Sequence, residues 1–304
     1  MALPSPSHAV VGASDPRAMA AFLGRLGFEA TAEDRLPLAA ARALYGLEAE
    51  APEMELRMPG AALGWIRLVA TPHPAAAHHV FARGPHAIDL YTTDMKRSLE
   101  LAAAAGAHCR PAATYKVGPL ELTEAKTVGP DGFAVVYIQV ARRRPSLLDR
   151  EPGRLHSEVH SLVFTVDSIT EALPFWKERA GLSAFLDATI VEPAVCAFMG
   201  LPRNDVPLRL AMLADGESQP ARLELLEFPQ DAGPSLPTWP LRAGLHGAGF
   251  AVTSLEDARR SLPGAQFGEV VDLDTAVHPR ARGVTAVAPG GVRFELWEPL
   301  TPSR

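Results

Sequence analysis

Apolar and polar residues alternate in four short stretches, each opening on a histidine and closing on a helix-capping residue. They run from His8 to Asp15, His86 to Asp94, His160 to Asp167 and His246 to Ser254. Period-two alternation predicts half-buried strands, the closing Asp or Ser predicts an N-cap, and the glycines at 27, 106, 181 and 264 predict where each helix ends. Each unit then returns to strand, with last strands expected at 64–69, 133–138, 222–227 and 293–298. Two of these follow readable turns, Pro130-Asp131-Gly132 and Pro289-Gly290-Gly291. Four units in one register form an internal repeat. The fold class expected is α+β: four βαβββ-type modules paired into two domains with curved, mostly antiparallel sheets.

The stretch 141–155 breaks the periodicity, is polar, and carries Pro145 and Pro152. It divides the repeats two and two, so the expected domains are 1–140 and 156–304 with 141–155 as linker. A length of 304 residues suits two domains, and 47% hydrophobic residues supply ordinary cores. A formal net charge of -6 argues against a nucleic-acid partner, which needs a concentrated basic face. The run Arg142-Arg143-Arg144 lies in the linker and reads as a solvated hinge. No apolar stretch approaches the roughly 18 residues of a membrane span, and the N-terminus has no signal-peptide pattern. Cys109 and Cys196 then read as reduced thiols of a cytoplasmic protein.

The segments Phe175-Trp176-Lys-Glu-Arg-Ala-Gly-Leu182, Pro130-Asp-Gly-Phe133, Leu223-Glu224-Leu225 and Phe294-Glu295-Leu296 resemble the vicinal oxygen chelate superfamily of glyoxalases, extradiol dioxygenases and bleomycin-resistance proteins. The resemblance covers nearly the whole chain. In the metal-dependent members, a first-strand histidine and a last-strand glutamate of a unit point into the cup of the sheet. A chain of four units resembles the two-domain extradiol dioxygenases, which keep the metal in the C-terminal pair. The resemblance therefore implies His160, His246 and Glu295 as metal ligands, with Glu224 as an additional glyoxalase-like ligand. The cofactor implied is a divalent metal, iron or manganese for a dioxygenase and nickel, zinc or cobalt for a glyoxalase-like isomerase or lyase. The partner is a small-molecule substrate, possible as a homodimer; the alternative is a metal-free small-molecule binder.

Read as residues, two imidazoles and a carboxylate suit a non-haem iron with open positions, and a further carboxylate suits a Lewis-acid site. Glu224 and Glu295 alternate with packed leucine and phenylalanine and so face the cup, while Glu227 and Glu298 read as surface charges. Counting back from Phe175 lands on Ser161 and from Ser254 on Gly247, so His160 and His246 reach the cup only through an early strand bulge. The N-terminal half has His8 but Arg67 where a ligand glutamate would stand, and Val136 or Tyr137 in the second unit, so no metal is expected there. His278 is a candidate general acid or base or an ordinary loop residue, and Arg209, Arg222 and Arg293 are candidates to hold a substrate carboxylate. Extradiol enzymes also use a histidine in the third unit and a tyrosine in the fourth; here no histidine lies between 160 and 246 and no tyrosine follows 137.

Overall fold

A computed structural model describes residues 2–77, 79–117, 120–216, 221–231 and 233–300 of the chain. The first unit comprises β1 (His8–Ala13), α1 (Pro16–Arg25), β2 (Glu29–Leu36), α2 (Leu38–Tyr45), β3 (Ala51–Arg57) and β4 (Trp65–Ala70). The second has β5 (Gly84–Thr92), α3 (Met95–Ala104), β6 (His108–Cys109), β7 (Ala113–Val117), β8 (Leu120–Val128) and β9 (Ala134–Val140). After α4 (Leu147–Arg150) the third has β10 (His156–Thr165), α5 (Ile169–Pro174), β11 (Ser183–Ile190), α6 (Pro193–Met199), β12 (Leu208–Ala214) and β13 (Arg222–Glu227). The fourth has β14 (Gly244–Ala251), α7 (Leu255–Ser261), β15 (Gln266–Phe267), β16 (Val271–Leu273), β17 (Ala281–Val287) and β18 (Arg293–Pro299).

The caps behave as the residue types dictate. The side chains of Asp15, Asp94 and Ser254 accept backbone N–H groups of the helices that follow them. In the third unit Ser168, one residue past the expected Asp167, does this work by accepting from Glu171 N. Pro174 cannot donate to the preceding turn, and the helix widens there into a single π turn closed by Ala180 N and Phe175 O.

Strand pairing departs from the expected division. The first sheet runs β15-β17-β18-β14-β1-β4-β3-β2 and joins the first unit to the fourth; the second runs β11-β12-β13-β10-β5-β9-β8-β6 and joins the second to the third. In each, the two first strands meet antiparallel (β1 with β14, β5 with β10), and each runs parallel to the last strand of its own unit. The stretch 141–155 therefore joins β9 to β10 within one sheet. It is also partly built: Ser146 and Asp149 form a capping box on α4, and Leu147 and Leu148 are buried. The same apolar alternation in all four first strands permits either pairing, so the pattern could not choose between them.

One continuous core takes side chains from both sheets and from α1, α3, α5 and α7, with Phe22, Trp176, Phe250 and Phe294 among its largest members. The opposite, concave faces form two cups. A short helix covers each, α2 over the first and α6 over the second, and both were passed over in the repeat pattern. Each carries a local signal: a proline at or just before the first turn and a glycine, Gly46 or Gly200, in the left-handed conformation after the last. Among the described residues, no helix is long and apolar enough to cross a membrane.

Candidate functional site

The residues singled out above fall into different cups. His246 and Glu295 lie on strands of the first sheet and His278 in the loop between its β16 and β17, while His160 and Glu224 lie on strands of the second, so they do not converge as one ligand set. Both bulges required by the strand register are present. On β10, Val159 faces Leu90 and Ser161 faces Asp89, leaving His160 as the extra residue. On β14, Leu245 faces Val11 and Gly247 faces Val10, leaving His246 as the extra residue. The bulge turns His160 toward the cup, where it stacks on Tyr91 at 3.8 Å, and sets His246 edge-on to Tyr45.

The first cup is filled by a buried polar network. His8 Nε2 lies 2.6 Å from Glu295 Oε1, Ser7 Oγ is 2.8 Å from His8 Nδ1, and Tyr45 donates to Glu295 Oε2 at 2.6 Å. Arg67 donates to Tyr45 at 2.9 Å, stands 3.3 Å from both Glu295 oxygens, and donates to Glu53 Oε2 at 2.7 and 3.0 Å. The His8 ring fits because Gly249 lies against it: a Cβ there would come within 2.0 Å of the imidazole. Trp65 stacks on the other side at 3.9 Å.

Burial alone would raise the Glu295 pKa, but the charge of Arg67 and the His8 hydrogen bond outweigh it and hold the carboxyl well below the usual range. Burial lowers the pKa of His8 and His278, and takes His246 down to about 3 with help from Arg293, so all three rings are neutral at pH 7. Ligand atoms of His8, His278 and Glu295 lie within 4.8 Å of one another and could hold a metal ion. His8 thus enters from the half expected to be metal-free, because the cup is built from the first unit and the last.

These residues fit a divalent cation. Two neutral imidazoles and an ionised carboxylate are the donor set of a facial triad. Among the described residues, neither buried ring nitrogen of His278 has a hydrogen-bond partner, and Glu53 already matches the charge of Arg67. Tyr45 and Ser7 would orient Glu295 and His8 from behind.

The second cup keeps an open cavity of about 300 Å³. Its wall is mostly apolar, with Leu122, Val136, Ile138, Val163, Phe198 and Leu210 among the lining residues, and α6 closes one side. Into it come three buried carboxylates, Asp89, Glu124 and Glu224, and the buried Arg222. Arg222 is fixed from behind, donating to His160 Nδ1 at 2.7 Å and to Ser161 Oγ at 3.1 Å. Tyr115 donates to Glu124 Oε2 at 2.6 Å.

Burial pushes Glu124 up to about 8, with the Glu224 charge adding to it. Burial likewise raises Asp89 and Glu224, and the Glu224 charge lifts Asp89 further. Glu124 is therefore protonated at pH 7, and burial shifts the other two toward their protonated forms, as for acid–base groups in a dry site. Asp89 and Glu124 carried no signal in the repeat pattern, and each lies on a strand next to the one that drew attention. Of the candidate arginines, only Arg222 lines this cavity; Arg209 is paired to Asp187 at 3.0 Å and Arg293 lies over Trp239. The presumed solvated run contributes too, since Arg142 and Arg144 line the cavity and Arg144 stacks over Phe185 at 4.4 Å.

Glu227 and Glu298, read as surface charges, are instead helix-end acceptors. Glu227 takes Ile169 N at 2.7 Å and Glu298 takes Leu255 N at 3.0 Å.

No family model matches the sequence, and no curated protein sequence matches it. Among solved structures, glyoxalase I from Zea mays superposes on 97% of this chain and 92% of its own, with a TM-score of 0.68 and 13% identity. A Bacillus subtilis protein described provisionally as a dioxygenase superposes on 99% of this chain and 86% of its own, with a TM-score of 0.66 and 10% identity. Four βαβββ units paired into two cupped sheets, superposable over almost their whole length on such proteins, give this chain the fold of the vicinal oxygen chelate superfamily.

Proposed function

We propose that this chain is an enzyme that moves a proton on a small, largely apolar carbonyl compound, with the second cup as its active site. The observation that carries this reading is the apolar cavity into which Asp89, Glu224, Glu124 and Arg222 converge. An apolar body fits the walls, and an oxygen head group meets Arg222. Asp89 and Glu224 are close enough for the charge on one to raise the other, so the pair holds one proton over a broad pH range. The ionised member takes a proton from the carbon beside the carbonyl. The electron pair left behind moves onto the carbonyl oxygen, where Arg222 stabilises the enolate. In an α-hydroxyketone the hydroxyl on that carbon then passes its proton to the former carbonyl oxygen, and its own carbon becomes the new carbonyl. Return of the abstracted proton to the former carbonyl carbon completes an isomerisation that needs no oxidant or other reactant. Glu124, protonated at pH 7 and oriented by Tyr115, supplies a hydrogen bond to a second oxygen of the substrate.

The test is proton exchange in deuterium oxide with aryl α-hydroxyketones such as 2-hydroxyacetophenone, followed by NMR. The protein should catalyse exchange at the carbon beside the carbonyl, and Asp89→Asn and Glu224→Gln should each slow it by about 10²- to 10⁴-fold. Saturable binding without exchange would make the chain a small-molecule binder, and neither binding nor exchange would sink the reading.

A second reading is favoured by one observation, the two unpartnered nitrogens of buried His278 beside His8 and Glu295. A divalent ion held there would supply Lewis-acid polarisation of an oxygen, or oxygen chemistry if it were iron or manganese rather than nickel, zinc or cobalt. Protein purified without chelator should then carry about one metal ion per chain, lost in Glu295→Gln because the offsetting carboxylate charge is gone. Equal metal content in the two proteins would remove this reading.

A further inference from the structure

Between the two sheets lies a second cavity, of about 420 Å³, lined by β5, β6 and β8 on one side and by residues 236–246 on the other. Its charge is one-sided. Lys126, Arg110 and Arg242 line it, and Asp131 is the single carboxylate among the described residues that line it. Asp131 is engaged elsewhere, accepting Ser14 N at 2.9 Å and Ser14 Oγ at 2.5 Å.

Lys126 is only 3% exposed, and its Nζ lies 3.0 Å from His86 Nε2, an imidazole rather than a carboxylate. Burying an ammonium with no carboxylate in bonding contact among the described residues costs free energy that an anion would offset. Burial with Arg110 nearby pulls its pKa down to about 8. A second buried group faces the same space: His246 is 4% exposed, and its Nε2 has no hydrogen-bond partner among the described residues. Arg242, from the segment that brings the chain back to β14, has a buried Nε without a partner as well. Leu236, Pro237 and Val128 add an apolar portion to the wall, alongside the polar His79, His108 and Thr238.

We infer that this cleft binds a small molecule carrying an oxyanion, a carboxylate or a phosphate, with Lys126 and Arg242 on the anion and an apolar body against the 236–237 wall. Neither residue lines the cavity of the second cup assigned to proton transfer; His86 is the one described residue that lines both cavities.

The experiment is calorimetric titration of the full chain with phenyl phosphate, benzoate and phenol, which share an aromatic body and differ in charge. One or both anions should bind at least tenfold more tightly than phenol, and the tighter of the two identifies the head group. Lys126→Met keeps the buried stem and removes the charge, and should weaken anion binding at least tenfold. Arg242→Gln, at a half-buried position outside the strands, should do the same and guards against a folding defect in the first variant. Glu224→Gln, in the other cavity, should bind the anion like the parent. Equal affinity for phenol and both anions, or anion binding unchanged in both Lys126→Met and Arg242→Gln, would overturn the inference.

Discussion

The two cups are built to one plan and filled in opposite ways. Each pairs two first strands antiparallel, carries a histidine on a bulge, presents a glutamate on a last strand, and is covered by a short inserted helix. In the first, the covering helix ends in Tyr45, whose hydroxyl bridges Arg67 and Glu295, and the concave face is a closed, ion-paired network. In the second, the covering helix presents Val195, Phe198 and Met199, which pair with nothing polar, and a cavity remains with carboxyls at its wall. One residue on equivalent strands accounts for much of this. Arg67 in the first unit brings a cation to the centre of its cup, whereas Val136 in the second unit brings none. A buried charge must be matched where it sits, so the first cup closed around its arginine, and the second could stay open around carboxyls that burial shifts toward the protonated form.

Removing Arg67 should produce the largest effect. Arg67→Met leaves Glu53 and Glu295 facing each other's surroundings without a cation, and should cost about 3–5 kcal/mol in urea unfolding. Arg222→Met in the second cup removes a guanidinium that faces a cavity rather than two ionised partners, and should cost about 1–2 kcal/mol, mostly from the lost bonds to His160 and Ser161. Equal losses would mean that the two cups are not stabilised differently.

The cups should also respond to pH in opposite directions. In the first, His246 stays neutral down to about 3 when folded but titrates near 6.5 when unfolded, so the unfolded chain binds the extra proton between those values. Stability tied to it is present above pH 6.5 and is lost as the pH falls, and the lowered His8 and His278 act in the same sense. In the second cup, Glu124 holds its proton up to about 8 when folded but gives it up near 4.5 when unfolded. Its stabilisation is complete below pH 4.5 and is lost as the pH rises through 8. Glu124→Gln mimics the protonated form and should gain stability over the parent between pH 5 and 8, most at the upper end. His246→Asn should gain over the parent between pH 6 and 4. A parent-minus-variant difference flat with pH in either comparison would remove that group from the account.

The repeat, three of the four caps and the main strand-helix order were legible because each follows from local chemistry: alternation, a capping oxygen, a glycine beyond the helix. Which units share a sheet was not, because the four first strands offer nearly the same apolar faces and backbone edges. That single ambiguity displaced the site. Pairing units in chain order put His160, His246, Glu224 and Glu295 in one cup, whereas the sheets send them to two and bring His8 in from the far end of the chain. The register count did carry real information, since it required bulges at the very two histidines where the sheets have them. Asp89 and Glu124 were illegible for a different reason. A carboxylate on a strand looks like a solvated residue until the covering helix that dries it, here α6, is in place.

The smallest expected difference sits where the two sheets are most alike. Glu227 and Glu298 close equivalent strands, accept the first backbone N–H of α5 and α7, and have side chains 14% and 15% exposed. Changing either to glutamine keeps an oxygen acceptor and removes the negative charge from the positive end of a helix, which is worth about 0.3–1 kcal/mol. The two should still differ. Arg282 bonds Glu298 at 2.8 Å, so glutamine there also loses a charge-assisted hydrogen bond, while Arg209 stands 3.7 Å from Glu227 and is already held by Asp187. Glu298→Gln should therefore lie at the upper end of that range and Glu227→Gln at the lower, in thermal unfolding at low ionic strength. Salt should narrow the gap, because both arginines are partly solvated. A larger loss for Glu227→Gln would mean that the helix end, not the neighbouring arginine, decides what these carboxylates contribute.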